Sequence, residues 1–496
     1  MRILVFVAWL VAMALTAPSH AFAQGRWTRI ESPGFIVYTA GSEQRAEGVA
    51  RDLEAFDGLL RRFTNAPAER SPTKLEVYLL SSDQFAETLP DIGRSIVGLY
   101  SARVDQIAAF AIFSSNGLSG QDTLYHEYAH HFMFQHFANA YPAWYVEGFA
   151  EFMSTAVMGS ERIELGRGSE GRAYALRNEQ WMPIERLISV APRELSGDER
   201  NLFYAQSWLL THYLVLTPGK MAQFQAYVRA LRLGQSPTAA LQAGFGVTPQ
   251  EMLAELRRYF RGNPNALALN RPAQVDRERM RLSRLPASAD TLLPLYARLR
   301  YGVREADGPA VLERVRQFAG GGGDRFALLT LALAETRLGE TARARALLGP
   351  HLDANPEDVE ALYLMGSTYL RDADDAAADQ SAALRVQARR YFGRAYQRDP
   401  NHVPSLYRYA ESYQGVRMDQ PTADNYLNVL LLANQLAPQI DQIGINAASA
   451  LMARGRHAEA IPMLRAIAYD PHGGSNARVA REMLAEAEAG LRAAAN

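Results

Sequence analysis

The spacing of apolar positions changes character several times along the chain. The first apolar stretch is unbroken: Ile3 to about Ala17 follows a single positive residue, Arg2, and ends in the small-x-small sequence Ala21-Phe22-Ala23. That layout predicts a secretory signal peptide over residues 1–23, cleaved before Gln24, and hence a periplasmic or secreted protein. Its roughly 14 apolar residues are fewer than the ~20 a spanning helix needs. No later run is apolar enough to span a bilayer, so no stable membrane insertion is expected after cleavage.

Short β-branched and aromatic runs come next. Gly34–Ala40 (GFIVYTA) and Leu75–Leu80 (LEVYLL) read as strands, and between them Ser42–Phe63 repeats Val49, Leu53, Phe56 and Leu60 at helical spacing. Ile96–Tyr100 and Gln106–Phe113 predict two further strands, antiparallel across Ser101–Asp105. A helix then carries LYHEYAHHFMFQHF (Leu124–Phe137), with Ser119 as its cap and Asp122 completing a capping box. Pro142 opens a second helix, PAWYVEGFAEFMSTAV. Gly166–Asn201 is weakly patterned and reads as loop with short helical pieces, before helices over Leu202–Leu216, Met221–Leu231 and Pro249–Phe260. The order predicts an α+β domain over residues 24–265. Asn263–Ala273, with Pro264 and Pro272, marks a linker placed at 266–285.

Residues 286–496 carry helical periodicity alone. Turn anchors recur at Asn355-Pro356, Asp399-Pro400, Ala437-Pro438 and Asp470-Pro471, and two units place an inter-helix glycine, Gly339 or Gly455, 17 or 16 residues before the terminal proline. This resembles the tetratricopeptide repeat (TPR), whose helix pairs stack into an all-α solenoid. The proline spacings of 44, 38 and 33 exceed or straddle the usual period, which predicts an insertion at Asp372–Ala383. The resemblance implies a protein partner for the array.

Composition narrows the chemistry. A hydrophobic fraction of 48% and a charged fraction of 21% suit a soluble globular protein. A net charge of -1 gives no basic surplus for nucleic acid, so no nucleic-acid partner is expected. Cysteine is absent, so disulfides are excluded and any metal must be held by His, Asp or Glu.

His126-Glu127-Tyr128-Ala129-His130 meets that condition, because histidines four apart share one helix face and can converge on a single ion. This is the H-E-x-x-H pattern of zinc metallopeptidases. A catalytic zinc needs a third protein ligand. Trp144-Tyr145-Val146-Glu147-Gly148-Phe149-Ala150-Glu151 resembles the segment that follows H-E-x-x-H in gluzincin metallopeptidases, and the broader likeness is to peptidase MA-like domains fused to TPRs. The resemblance implies a zincin-like domain that binds one Zn2+ through His126, His130 and Glu147 and hydrolyses a peptide or protein substrate, with Glu127 as general base.

Glu151, one turn after Glu147, matches the gluzincin carboxylate that supports a ligand histidine; a surface carboxylate and an exchange of roles with Glu147 stand as alternatives. Tyr204 resembles the tyrosine that stabilises the oxyanion in aminopeptidase-like gluzincins, although Ala205-Gln206-Ser207-Trp208 departs from their pattern, and an aromatic helix anchor is the competing role. His131, His136 and His212 read as packing or surface residues. No G-x-M-E-N stretch precedes the motif, which favours an endopeptidase cleft. The alternative function is an inactive protease-like scaffold whose TPR array serves as a protein-binding adaptor.

Overall fold

A computed structural model describes residues 27–495 apart from 68, 94–95, 115–116, 138–140, 169, 263, 273–276, 321–322 and 471–472. The signal-peptide stretch, 1–23, lies outside the described residues. In order the chain forms β1 (Thr28–Glu31), β2 (Phe35–Thr39), α1 (Glu43–Thr64), β3 (Leu75–Leu80), α2 (Ser82–Thr88), β4 (Gly98–Arg103), β5 (Gln106–Ser114) and β6 (Gly117–Ser119). Two helices follow, α3 (Gln121–His136) and α4 (Ala143–Ser154), then β7 (Val157–Met158), β8 (Arg162–Leu165), α5 (Glu170–Asn178) and α6 (Ile184–Leu187). Four further helices, α7 (Gly197–Leu216), α8 (Lys220–Arg232), α9 (Pro237–Phe245) and α10 (Pro249–Arg261), lead to β9 (Leu267–Asn270) and β10 (Arg281–Arg284).

The main sheet runs β10-β1-β2-β3-β5-β4, with β6 against the end of β5. β2, β3 and β5 are parallel neighbours, while β4 returns antiparallel as the last strand. Because side chains alternate along a strand, the sheet has two apolar faces. Val77, Leu79, Ala109 and Ala111 meet Leu53 and Phe56 of α1 and the buried face of α3. Tyr78, Leu80, Ala108 and Phe110 meet Phe85 of α2 and, across the sheet, Ala289, Leu293 and Ala297.

Those last three residues belong to α11 (Ala289–Tyr301), so the first all-helical element is docked on the sheet. The stretch read as a linker is therefore not one. Within 266–285, β9 pairs with β8 and β10 pairs with β1. Weak alternation and nearby prolines concealed two edge strands, whose identity is set by distant partners rather than by local pattern. The β4 strand is likewise shifted to Gly98–Arg103, leaving a tighter turn at Val104-Asp105 than the expected Ser101–Asp105.

The helical part continues with α12 (Gly308–Ala319), α13 (Arg325–Leu338), α14 (Thr341–Ala354), α15 (Val359–Asp375), α16 (Ala378–Arg398), α17 (Val403–Glu411), α18 (Gln420–Leu436), α19 (Asp441–Met452), α20 (His457–Ala468) and α21 (Gly474–Ala495). The residues read as an insertion lengthen α15 and α16 to 17 and 21 residues rather than forming a loop. None of the described helices is long and apolar enough to cross a membrane.

The array curves back to the sheet. Asp105, at the β4–β5 turn, pairs with Arg337 of α13 at 2.6 Å and Arg408 of α17 at 3.2 Å and accepts a hydrogen bond from Tyr363 of α15. Apolar residues of α17–α21 join the same core cluster as the sheet domain.

Candidate metal centre

Helix α3 is fixed from behind. Tyr125 stacks on Phe56 with centroids 4.3 Å apart, and the Tyr128 hydroxyl donates to Asp57 Oδ1 at 2.8 Å. Its start differs from the capping box expected at Ser119: that residue ends β6, and Gly120 takes the cap position with no side-chain cap. The chain turns from strand to helix at φ 86, which glycine adopts freely, and a Cβ there would stand 2.7 Å from Val97 Cγ2.

With Tyr125, Tyr128 and Phe132 facing the core, His126 and His130 share the opposite stripe, and their Nε2 atoms lie 3.0 Å apart. Helix α4 brings Glu147 to the same point. It does so by packing tightly on α7: a Cβ on Gly148 would overlap the Ser207 carbonyl and the Thr211 hydroxyl. Glu147 is fully buried, and its Oε2 lies 3.5 Å from His126 Nε2 and 3.3 Å from His130 Nε2. Donor atoms bound tetrahedrally at 2.0–2.1 Å stand about 3.3–3.4 Å apart, so this triangle has the dimensions of three corners around one ion. These three residues can hold a metal.

The neighbouring groups lie around that triangle. Glu127 is half-buried next to it, and its charge acts on both His126 and the Tyr100 hydroxyl of β4. Glu151 sits on the far side of His126, where Nδ1 donates to Oε1 at 3.3 Å. Glu147 faces both Nε2 atoms, whereas Glu151 meets His126 at Nδ1. Tyr204 packs edge-on against the His126 ring with centroids 6.3 Å apart. It lies two turns inside α7, whose start is Gly197 rather than the expected Leu202, capped by Ser196 and Glu199.

Arg172 was not legible in the sequence as a site residue. From α5 it donates through Nε and Nη2 to the two oxygens of Glu151, each at 2.8 Å, and through Nη1 to Asn201 Oδ1 at 2.5 Å. Its guanidinium also lies 5.1 Å from the Tyr204 ring centre. The only sequence signal was a basic residue in a weakly patterned segment, with nothing to indicate its carboxylate.

Electrostatics follow this layout. Burial opposes charge on His126, but hydrogen bonds to Glu147 and Glu151 outweigh it and raise its pKa to about 10. Burial likewise opposes charge on Glu151, yet His126 and Arg172 hold it down at about 2. The Tyr204 hydroxyl is pushed above its ordinary range by burial and by the Glu147 and Glu151 charges, so it remains a donor at neutral pH.

The other histidines lie apart from the triangle. His131 is buried against Tyr128, its Nδ1 3.0 Å from the Tyr100 hydroxyl, and burial lowers its pKa to about 4. His136 lies 3.3 Å from Arg61, and buried His212 lies 2.9 Å from the Tyr259 hydroxyl.

No curated protein matches the chain. Among solved structures, a thermophilic TPR protein of Thermus thermophilus is 18% identical, with a TM-score of 0.34, over 40% of this chain and 99% of that one. Residues 310–416 match the family described as Tetratricopeptide Repeats-Sensor. The helix pairs from α12 to α17 are therefore TPR-like repeats, a class of module that mediates protein–protein interaction.

Proposed function

We propose that the protein is an exported zinc-dependent metallopeptidase of the gluzincin type, a zincin-like α+β domain whose TPR-like array serves substrate or partner recognition. The observation that carries this reading is the triangle of His126, His130 and Glu147, with edges of 3.0, 3.3 and 3.5 Å. An all-nitrogen-and-oxygen donor set with two imidazoles suits zinc, and three protein ligands leave a position open.

Held by His126, His130 and Glu147, a zinc ion would supply Lewis acidity at this point. Glu127 accepts the proton of the attacking water and returns it to the leaving amine. Glu151 accepts from His126 Nδ1, which leaves Nε2 free to coordinate. The Tyr204 hydroxyl donates to the oxygen on which charge develops.

The test is metal content. Purified full-length protein is expected to take up about one zinc per chain with His126→Ala taking up none; wild-type protein without zinc under the same loading contradicts the reading. A second reading, a protein-binding adaptor with an inactive protease-like domain, is favoured by the TPR match over 310–416. It requires partner binding unaffected by Glu127→Gln together with no cleavage by the wild type.

A further inference from the structure

Each helix that carries a candidate metal ligand also turns an apolar face to a cavity of ≈410 Å³. In α4, Tyr145 and Phe149 stand two residues to either side of Glu147, about 200° round the helix from it, and both line this cavity. Met133 of α3 and Phe137 just beyond its end add to the wall, and α8 closes it with Met221 and Phe224. No residue of the metal triangle takes part. A concave space walled by aromatic and aliphatic groups, within about 300–1,000 Å³, has the dimensions of a small-molecule site. Methionine adds adaptability to a chain of irregular shape.

Charge is confined to one end. Helix α8 runs along the cavity from Met221 to Arg232, a rise of roughly 16 Å. Its start contributes Met221 and Phe224, and its end contributes Arg229 and Arg232. Both arginines are exposed, and among the described residues neither guanidinium has an ion-pair or hydrogen-bond partner. The lining includes no acidic residue among those described, so two positive charges stand uncompensated where the apolar wall ends.

A second observation points the same way. Tyr145 is only 9% exposed, and its hydroxyl has no hydrogen-bond partner among the described residues. Other buried tyrosines of the domain are satisfied: Tyr78 donates to Glu76 at 2.7 Å, Tyr128 to Asp57 at 2.8 Å, and Tyr125 accepts from Gln121 at 2.9 Å. A buried phenol normally finds a partner, and Tyr145 lines a cavity from which one can come.

These features fit a ligand with a long apolar body and one anionic head. A peptide would bring an N–H and a C=O per residue to walls made mainly of helices, whose main-chain groups are bonded within the helix. The Thr64 hydroxyl in the lining is already given to the Leu60 carbonyl at 2.7 Å. A hydrocarbon chain makes no such demand.

We propose that this cavity is a fatty-acid site, with the hydrocarbon chain among the aromatic and methionine side chains of α3, α4 and α8 and the carboxylate held by Arg229, Arg232 and the Tyr145 hydroxyl. The site goes beyond the hydrolytic reading and stands without it, since no metal ligand contributes.

The test is an equilibrium fluorescence titration of the full-length protein with cis-parinaric acid, using myristate and myristyl alcohol as competitors. Saturable binding of one parinaric acid per chain is expected, displaced by myristate and at least about tenfold less effectively by the alcohol, which lacks the charge. The double variant Arg229→Gln, Arg232→Gln, at exposed positions, is expected to weaken acid binding about tenfold or more and to leave the alcohol unaffected. Tyr145→Phe is expected to weaken it about threefold to tenfold with an unchanged unfolding midpoint, because the hydroxyl has no partner within the described chain to lose. Met221→Trp fills the cavity and should abolish binding of acid and alcohol alike. Absence of saturable binding, or affinity unchanged in both the arginine and the tyrosine variants, overturns the proposal. Cosedimentation with phosphatidylglycerol vesicles separates a free fatty acid from a lipid surface: vesicle binding that needs the two arginines in protein that takes up no parinaric acid also overturns it.

Discussion

Arg172 grips Glu151 through two parallel N–H groups, Nε and Nη2, each 2.8 Å from a different carboxylate oxygen. Glu151 in turn meets His126 Nδ1, so the arginine fixes the orientation of an imidazole it does not touch. Partners of this kind typically change metal affinity by about 10–100-fold. Arg172→Gln is expected to weaken zinc binding within that range, and Arg172→Lys, which keeps the charge and loses the fork, to fall between. Competition with a chromophoric chelator measures both, and the thermal midpoint of the metal-free protein reports whether the fold has moved instead.

Gly148 serves packing rather than flexibility. Gly148→Ala drives a methyl group into the Ser207 carbonyl and the Thr211 hydroxyl, and is expected to cost about 1–3 kcal/mol in urea unfolding. Zinc affinity should fall with it, because the adjacent residue is Glu147. Gly171→Ala makes the control: it sits exposed in α5 with open space around its Cβ position, so a helix-favouring gain of up to about 1 kcal/mol is expected.

The pH dependence of stability has a marked contributor in the array. Burial, reinforced by the nearby Asp470 charge, raises Asp441 to about 7. Its folded pKa thus lies above its unfolded value of about 4, so the folded state holds the extra proton between those values. The stability gained is full below about pH 4 and is lost as pH rises to about 7, by at most about 4 kcal/mol. Asp441→Asn should flatten this part of the profile. Urea midpoints at pH 5 and pH 8 for the two proteins provide the comparison.

Asp105 is the anchor between sheet and array. Removing its charge leaves Arg337 and Arg408 facing each other without their shared carboxylate; the cluster is half-buried, so the loss lies between the roughly 1 kcal/mol of an exposed pair and the about 3–5 kcal/mol of a fully buried one. Asp105→Asn is expected to fall between those values. In a double-mutant cycle with Arg337→Gln, the combined loss should be smaller than the sum by more than about 0.5 kcal/mol, as befits groups in contact.

How much of this was legible in the sequence depends on the range of the interaction. His126 and His130 were readable because helical spacing alone puts them on one face. Val49, Leu53, Phe56 and Leu60 announced α1 in the same way. Glu147 could be aligned by resemblance, but its distance to the histidines is set by Gly148 packing on Ser207, a contact 59 residues apart in sequence. Arg172, β9 and β10 were missed for a common reason. Each acquires its role from a distant partner, Glu151, β8 or β1, and local pattern carries no trace of it. The Asp105 clasp was equally hidden, since it joins a turn to helices more than 200 residues later.

The most direct test of the central claim is a paired measurement on Glu127→Gln: zinc content and hydrolysis of an unfolded polypeptide, set against the wild type. The proposed function makes Glu127 a proton acceptor and not a ligand, so on that reading the variant should keep about one zinc per chain and lose cleavage by at least about a hundredfold. Retained cleavage in the zinc-loaded variant, or a wild type that binds zinc and cleaves nothing, would contradict the account.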